Sequence, residues 1–271
     1  MSRFKGSVVV VTGAASGLGR QITLKMARKG ASVAAWDLNR EALENVCREV
    51  AAEGKGQAAA FVCDVGDKDQ VREAAKATAE QLGPVEVLVN NAGVVSGKPF
   101  LELTDQDIER TMRVNTLGLF WTTKAFLPEM IKRNKGLLVT IASAAGTVGV
   151  SRLSDYCASK WAAIGLDESL RVELSKMGSG VKTLVICPYF INTGMFDGVK
   201  TRFPFLLPIL EEEYATDRMV AAMEKGWRRL LMPPLVYTTP LLRLLPAPVF
   251  DFIAGMLGIN ASMDEFKGRK Q

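Results

Sequence analysis

The chain has 271 residues, is 48% hydrophobic and 23% charged, and carries a formal net charge of +5. This is enough apolar content to bury a full core in a single domain spanning 1–271, and the cations are too scattered to form a basic stripe for nucleic acid. There is no histidine, which excludes a Ser-His-Asp triad, a Cys-His pair and a histidine-ligated metal site, and leaves proton transfer to Tyr, Lys, Cys or a carboxylate.

The first apolar run, Val8 to Val11, is too short for a signal-peptide core and leads straight into glycines. It reads as a buried strand, and no membrane anchor is expected at the N-terminus. Further β-branched-rich runs at 32–37, 58–64, 85–90, 136–142 and 181–188 alternate with stretches of helical periodicity. The alternation predicts an α/β fold, a Rossmann-type doubly wound parallel sheet with helices on both faces. In the first helix Leu18, Ile22 and Met26 repeat every four residues, and Gly30 follows where a left-handed residue would end it. Gly54 and Gly56 close the second helix, and Leu82-Gly-Pro84 stops the third.

Past about residue 190 the pattern changes. The apolar, proline-broken stretch Phe203 to Leu210 predicts a substrate lid within about 194–212, ahead of a helix starting near Glu212. Trp227-Arg-Arg229 reads as a helix end carrying cations near its C-terminus. Residues 230–260 are apolar but interrupted by Arg243, Asp251 and several prolines, and the uncharged run 230–242 is only thirteen residues long. About 20 are needed to span a bilayer, so an interfacial surface or a greasy substrate entrance fits better, with packing on the core or in a subunit interface as the alternative. Cysteines at 47, 63, 157 and 187 have neither disulfide nor metal-ligand spacing, which predicts no metal site and a reducing, cytoplasmic setting, with peripheral attachment to a lipid surface left open.

Gly13, Gly17 and Gly19, with Ser16 and Leu18 between them, lie at the turn from the first strand into the first helix. A phosphate can approach the backbone amides there only where side chains are missing. Asp37 ends the second strand, where a carboxylate can accept hydrogen bonds from an adenosine ribose and repel a 2′-phosphate. NAD is therefore favoured over NADP, although Arg40 offers NADP a partner and Asp37 would also serve as a helix cap. Asp64 and Val65 follow the third strand, where an adenine edge could be read or a helix capped. Asn91 and Gly93, within Asn90-Asn-Ala-Gly93, follow the fourth strand, where ligands bind in such sheets and where a plain turn would use the same residues.

Tyr156 and Lys160, four residues apart, share one helix face. A free tyrosine titrates near about 10, and one positive charge at roughly 5 Å in an effective dielectric of roughly 20 would lower this by about two pH units. Ser143 closes the strand before, at the same edge, and Asn115 falls within a predicted long helix. Cys157 reads as a small packing residue.

Taken together, Thr12 to Gly19, Asp64, Asn90 to Gly93, Asn115, Ser143, Tyr156, Lys160 and Pro188 resemble the short-chain dehydrogenase/reductase family in order and spacing. The resemblance implies an NAD(P)-dependent alcohol dehydrogenase in which Tyr156 exchanges the proton and Ser143 holds the substrate oxygen. It also implies that Asn115 holds a water linking Lys160 to solvent and that the Ile191 backbone and Thr193 hold the nicotinamide carboxamide. The glycine usual after the proline is here Tyr189. Cys187 to Phe196 and Ser262 to Arg269 resemble the branch of retinol and 17β-hydroxysteroid dehydrogenases, which implies a lipophilic alcohol: a retinoid, a steroid, or a long-chain or aromatic alcohol. Members pair through two long helices, here near 105–130 and 155–177, so a homodimer or homotetramer is expected. The other readings are an NADPH-dependent carbonyl reductase and a non-catalytic lipid-surface protein.

Overall fold

The β-branched run at the start of the chain becomes β1 (Val8–Thr12), in a computed structural model that describes residues 2–268 and so leaves Arg269 outside. Its side chains alternate between two cores: Val9 and Val11 face one, Val8 and Val10 the other. A strand buried on both faces has no reason to alternate polar with apolar residues, which is why the run is continuous.

Six more strands join it in parallel: β2 (Ser32–Asp37), β3 (Gln57–Val62), β4 (Val85–Asn90), β5 (Leu137–Ile141), β6 (Lys182–Pro188) and β7 (Arg229–Met232). The spatial order is β3-β2-β1-β4-β5-β6-β7. Helices α1 (Gly17–Arg28), α2 (Arg40–Glu53) and α7 (Glu212–Lys225) share a core with one face of the sheet. The other face is covered by α3 (Lys68–Leu82), by α5 (Gly118–Lys132), which continues from α4 (Asp105–Met112), and by α6 (Ser154–Lys176). Two short helices, α8 (Thr239–Leu242) and α9 (Ala247–Met256), complete the C-terminal part. After β3 the chain crosses β1 to build β4, so the carboxyl ends of β1 and β4 diverge and leave a crevice.

The expected doubly wound fold is present, with three local differences. β3 stops at Val62 rather than running to residue 64, because the Asp64 amide donates to the Gln70 side chain at 3.0 Å and leaves the ladder. Arg229 is not part of a helix end: α7 stops at Lys225 with Gly226 in the left-handed region, and Arg229 opens β7 opposite Val185. Leu230, Leu231 and Met232 are therefore sheet core, and only the rest of the C-terminal apolar stretch is free to meet substrate or lipid.

A buried polar tether joins β2 to α3. Trp36 on β2 is fully buried and donates its indole N–H to Thr78 on α3 at 3.0 Å. Thr78→Val keeps the shape but leaves that donor unsatisfied, so urea unfolding should report a loss of about 1–3 kcal/mol.

Candidate active site

Most of the motif residues line one cavity of about 780 Å³ at the carboxyl edge of the sheet; Gly19 and Asn115 are not part of its lining. At its polar end α1 begins at Gly17, with no acidic residue in its first turn to neutralise the amide end. Gly13, Ser16, Gly17 and Leu18 line the cavity there. Gly19 lies behind the turn, and a Cβ on it would sit 2.0 Å from the Gly13 carbonyl oxygen, so only glycine lets the turn close this tightly.

Asp37, at the end of β2, accepts N–H bonds from Ala15 and Asn39, both at 3.1 Å. It does not cap α2: Asn39 does, accepting from the Ala42 amide. The carboxylate thus reaches across to the glycine turn and faces the cavity. Asp64 likewise does not cap α3, a task taken by Asp67. Asp64 accepts the Gly66 amide at 2.8 Å and lies 3.6 Å from the Arg113 guanidinium, while Val65 beside it lines the cavity. An amide-lined turn at a helix start, a carboxylate one strand away and a groove between them fit a dinucleotide's pyrophosphate, ribose and adenine in turn.

Asn91 is fixed by donating its side-chain amide to the Thr12 carbonyl at 2.9 Å and the Gly13 carbonyl at 3.3 Å. Thr12 returns the contact, its hydroxyl oxygen accepting from the Asn91 and Ala92 amides at 3.0 Å each. The sequence offered no separate signal for this role of Thr12 beyond its place at the strand end.

Asn115 is not in the middle of a regular helix as expected. It lies in a π-helical turn, Arg113–Leu117, between α4 and α5. The wider turn swings its side chain out to accept from the Val94 amide at 2.8 Å and to donate to the Val94 carbonyl and the Ser159 hydroxyl at 2.9 and 3.1 Å. Ser159, which sequence reasoning missed, passes the tie on to the Tyr156 carbonyl at 2.7 Å. A Cβ on Gly93 would lie 3.4 Å from Asn115 Oδ1 and 3.6 Å from Lys160 Nζ, so both groups look onto the same small space.

Tyr156 and Lys160, on the first turns of α6, are both buried and face the same cavity. Lys160 Nζ lies 5.5 Å from the Tyr156 ring centre and donates to the Ile141 carbonyl at the end of β5, at 2.9 Å. Ser143, just past β5, hydrogen-bonds Tyr156, accepts the Ala145 amide at 3.1 Å and donates to the Pro188 carbonyl at 3.4 Å. Burial pushes the Tyr156 phenol above its ordinary value, and the Ser143 hydrogen bond pulls it only partly back. Desolvation thus acts against the lowering expected from Lys160. Burial also brings the Lys160 amine down to about 8. Each charge is disfavoured alone, and an adjacent phenolate and ammonium relieve one another.

Tyr189, in place of the usual glycine, distorts nothing. Its amide donates to the Met232 carbonyl at 2.7 Å, and the left-handed non-glycine residues among those described are Asn134 and Arg152. Ile191 and Thr193 line the cavity beyond it. Cys157 is packed beside Tyr156 in an apolar cluster with its thiol raised by burial, and all four cysteines are free. Val148, Leu153, Phe190, Phe196, Leu207 and Phe250 give the cavity an apolar wall, while Gln106, Glu109 and Arg110 on α4 and Thr238 and Thr239 add polar side chains to its lining.

The arrangement joins a glycine turn able to cradle a nucleotide to a buried tyrosine and lysine with a serine beside them, and residues 7–202 match the short chain dehydrogenase family. The chain belongs to that family and is an NAD(P)-dependent oxidoreductase of the alcohol dehydrogenase kind. It falls beside the retinol dehydrogenases: it is 43% identical over 268 residues to epidermal retinol dehydrogenase 2 of Homo sapiens, covering 98% of this chain and 87% of that protein. Among solved structures, a short chain dehydrogenase/reductase from Burkholderia phymatum in complex with NAD superposes with a TM-score of 0.81 at 28% identity, over 90% of this chain and 95% of the other. An alcohol dehydrogenase from the archaeon Thermococcus sibiricus, complexed with 5-hydroxy-NADP, gives 0.75 at 27% identity over 83% and 95%.

A buried amine whose pKa falls from 10.5 to about 8 weakens the fold wherever it is charged in both states, and this cost fades between those two pH values. Lys160→Met should accordingly raise stability at pH 7 by about 2 kcal/mol after loss of the hydrogen bond to Ile141, and the gain should shrink as pH climbs through that window. Denaturant titrations at several pH values provide the check.

Proposed function

We propose that the protein interconverts a lipophilic alcohol and its carbonyl compound using NAD, with Tyr156 as acid and base. What supports this most is the meeting of the Tyr156, Lys160 and Ser143 cluster with an apolar wall at the far end of the cavity that begins at the glycine turn. In oxidation, Ser143 and Tyr156 hold the alcohol oxygen, and Tyr156, as phenolate, takes its proton. Lys160, steadied by the Ile141 carbonyl, sets a positive charge near the phenolate. Asn115 and Lys160 bracket the space for a water that returns the proton to solvent. When bound, oxidised nicotinamide supplies the hydride acceptor and a second positive charge. Gly13 to Gly19, Asp37, Asp64, Val65, Asn91 and Gly93 would hold the dinucleotide, with Tyr156, Lys160, Ile191 and Thr193 at its nicotinamide end. The paired backbone bonds on Asp37, beside the cradle, favour a ribose diol there and disfavour a 2′-phosphate.

The C-terminal segment supports the choice of substrate. Leu242, Phe250, Ile253 and Leu257 line the cavity, while Leu241 on α8 is 70%, Leu244 in the turn after it 80% and Phe252 on α9 65% exposed. Leu207 and Leu210 of the expected lid are buried, whereas Phe205 is 80% exposed. A wall that is apolar on both sides fits a greasy entrance resting on a lipid surface. No described helix is long and apolar enough to cross a membrane. Phe120 and Val172, exposed on α5 and α6, would take part in pairing of two copies.

With NAD, purified protein should oxidise retinoids, steroids or long alcohols with a kcat/KM that rises with apolar size, and NADP should saturate only at higher concentration. Equal efficiency on short alcohols would count against the apolar cavity. Tyr156→Phe should cut turnover by about a hundredfold or more with NAD affinity unchanged; retained turnover refutes Tyr156 as the base. In vesicle flotation, the wild-type chain should float, and the triple change Leu241→Ser, Leu244→Ser, Phe252→Ser should leave it in the soluble fraction.

A further inference from the structure

The ring of Phe196 stands between two cavities. One is the large cavity at Tyr156, and the other, of about 270 Å³, shares Phe190, Ile191 and Phe196 with it. On the near side Phe196 meets Tyr156 edge to face, with ring centres 5.6 Å apart, and Phe190 at 5.1 Å. On the far side is Phe266, near the end of the described chain, at 6.3 Å. Phe266 does not line the large cavity.

Several contacts seat the segment that carries Phe266. Met263 is fully buried in the cluster containing Tyr156, Phe190 and Val199. The Lys200 amide donates to the Ser262 carbonyl at 3.1 Å, and the Lys267 amide to the Asp197 carbonyl at 2.8 Å. Two glycines make room: a Cβ on Gly97 would lie 1.9 Å from the Phe266 ring, and one on Gly198 would lie 2.1 Å from the Glu265 carbonyl oxygen. The ring thus rests directly on bare backbone, and any side chain at Gly97 would lift it away.

We propose that residues 262–266 form a strap that holds Phe196 against Tyr156, making Phe266 a positioning residue that sets the width of the reacting end. With the strap seated, the side of Tyr156 facing Phe196 is closed, and the site takes a primary alcohol on a slender chain in preference to a secondary alcohol flanked by rings. Without Phe266 the ring of Phe196 can swing into the space that Phe266 vacates, which widens the large cavity beside Tyr156. The selectivity part rests on the alcohol dehydrogenase reading given above; the strap itself does not.

The test compares wild type with Phe266→Ala, Phe266→Leu and Gly97→Ala by two readouts. In amide hydrogen exchange, Phe266→Ala and Gly97→Ala should speed exchange across 194–200 and leave 13–19 unchanged, with Phe266→Leu close to wild type. In kinetics, the preference for a primary chain alcohol over a ring-flanked secondary alcohol should fall about tenfold in the first two variants, through KM of the bulky substrate, while NAD affinity holds. Unchanged exchange at 194–200, or faster exchange spread equally to 13–19, overturns the strap. Unaltered preference despite local loosening overturns its role in selectivity. A wild-type protein that turns over no alcohol refutes the alcohol dehydrogenase reading instead, and the exchange data then judge the strap alone.

Discussion

The reciprocal clasp between Thr12 and Asn91 fixes the carboxyl edge of the sheet. These residues end β1 and follow β4, strands that are neighbours in space yet far apart in sequence. At this seam the strand order reverses and the two loops diverge, so their amides and carbonyls lose sheet partners. Thr12 and Asn91 satisfy those groups with side chains, and the glycine turn and the Asn-Asn-Ala-Gly segment become one rigid unit. The open crevice needed for a nucleotide can persist only because its rim is bonded in this way.

The cluster of Tyr156, Lys160, Ser143 and Asn115 is built on the same edge by a different route. Lys160 reaches the last carbonyl of β5, Ser143 bonds across to the last residue of β6, and the π turn brings Asn115 to the loop after β4. Strand ends therefore supply the fixed points and α6 supplies Tyr156 and Lys160. Burial makes either charge costly alone, and this is why the phenol and the amine must be close neighbours to be of use. On the proposed function, a site tuned for proton transfer is thus also a site of stored instability.

The substrate end is organised by the C-terminal residues rather than by the sheet. Arg243, which looks like a mere interruption of an apolar stretch, stacks over Trp161 with its guanidinium carbon 4.5 Å from the ring centre, and it donates to the Thr147 carbonyl at 3.1 Å. Trp161 adjoins Lys160 in sequence, so the cation pins α8 and α9 next to the reacting groups while their apolar faces turn inward and outward.

The amino-acid order alone determined the alternation of strands and helices, the glycine turn, and the grouping of Ser143, Tyr156 and Lys160. Each of these is written in local periodicity or short spacing, and each reappears in the fold at the expected edge. Local signals failed where long-range partners decide. β7 is four residues long and becomes a strand only through its register with β6. The π turn at Asn115 depends on Val94 and Ser159, residues with no motif of their own. The upward push of burial on the Tyr156 phenol is not legible in sequence, because a charge partner shows at four-residue spacing whereas desolvation is set by every element that packs around the ring. The seating of Phe266 on Gly97 joins residues far apart in the chain, and only the folded structure brings such distant backbone and ring into contact.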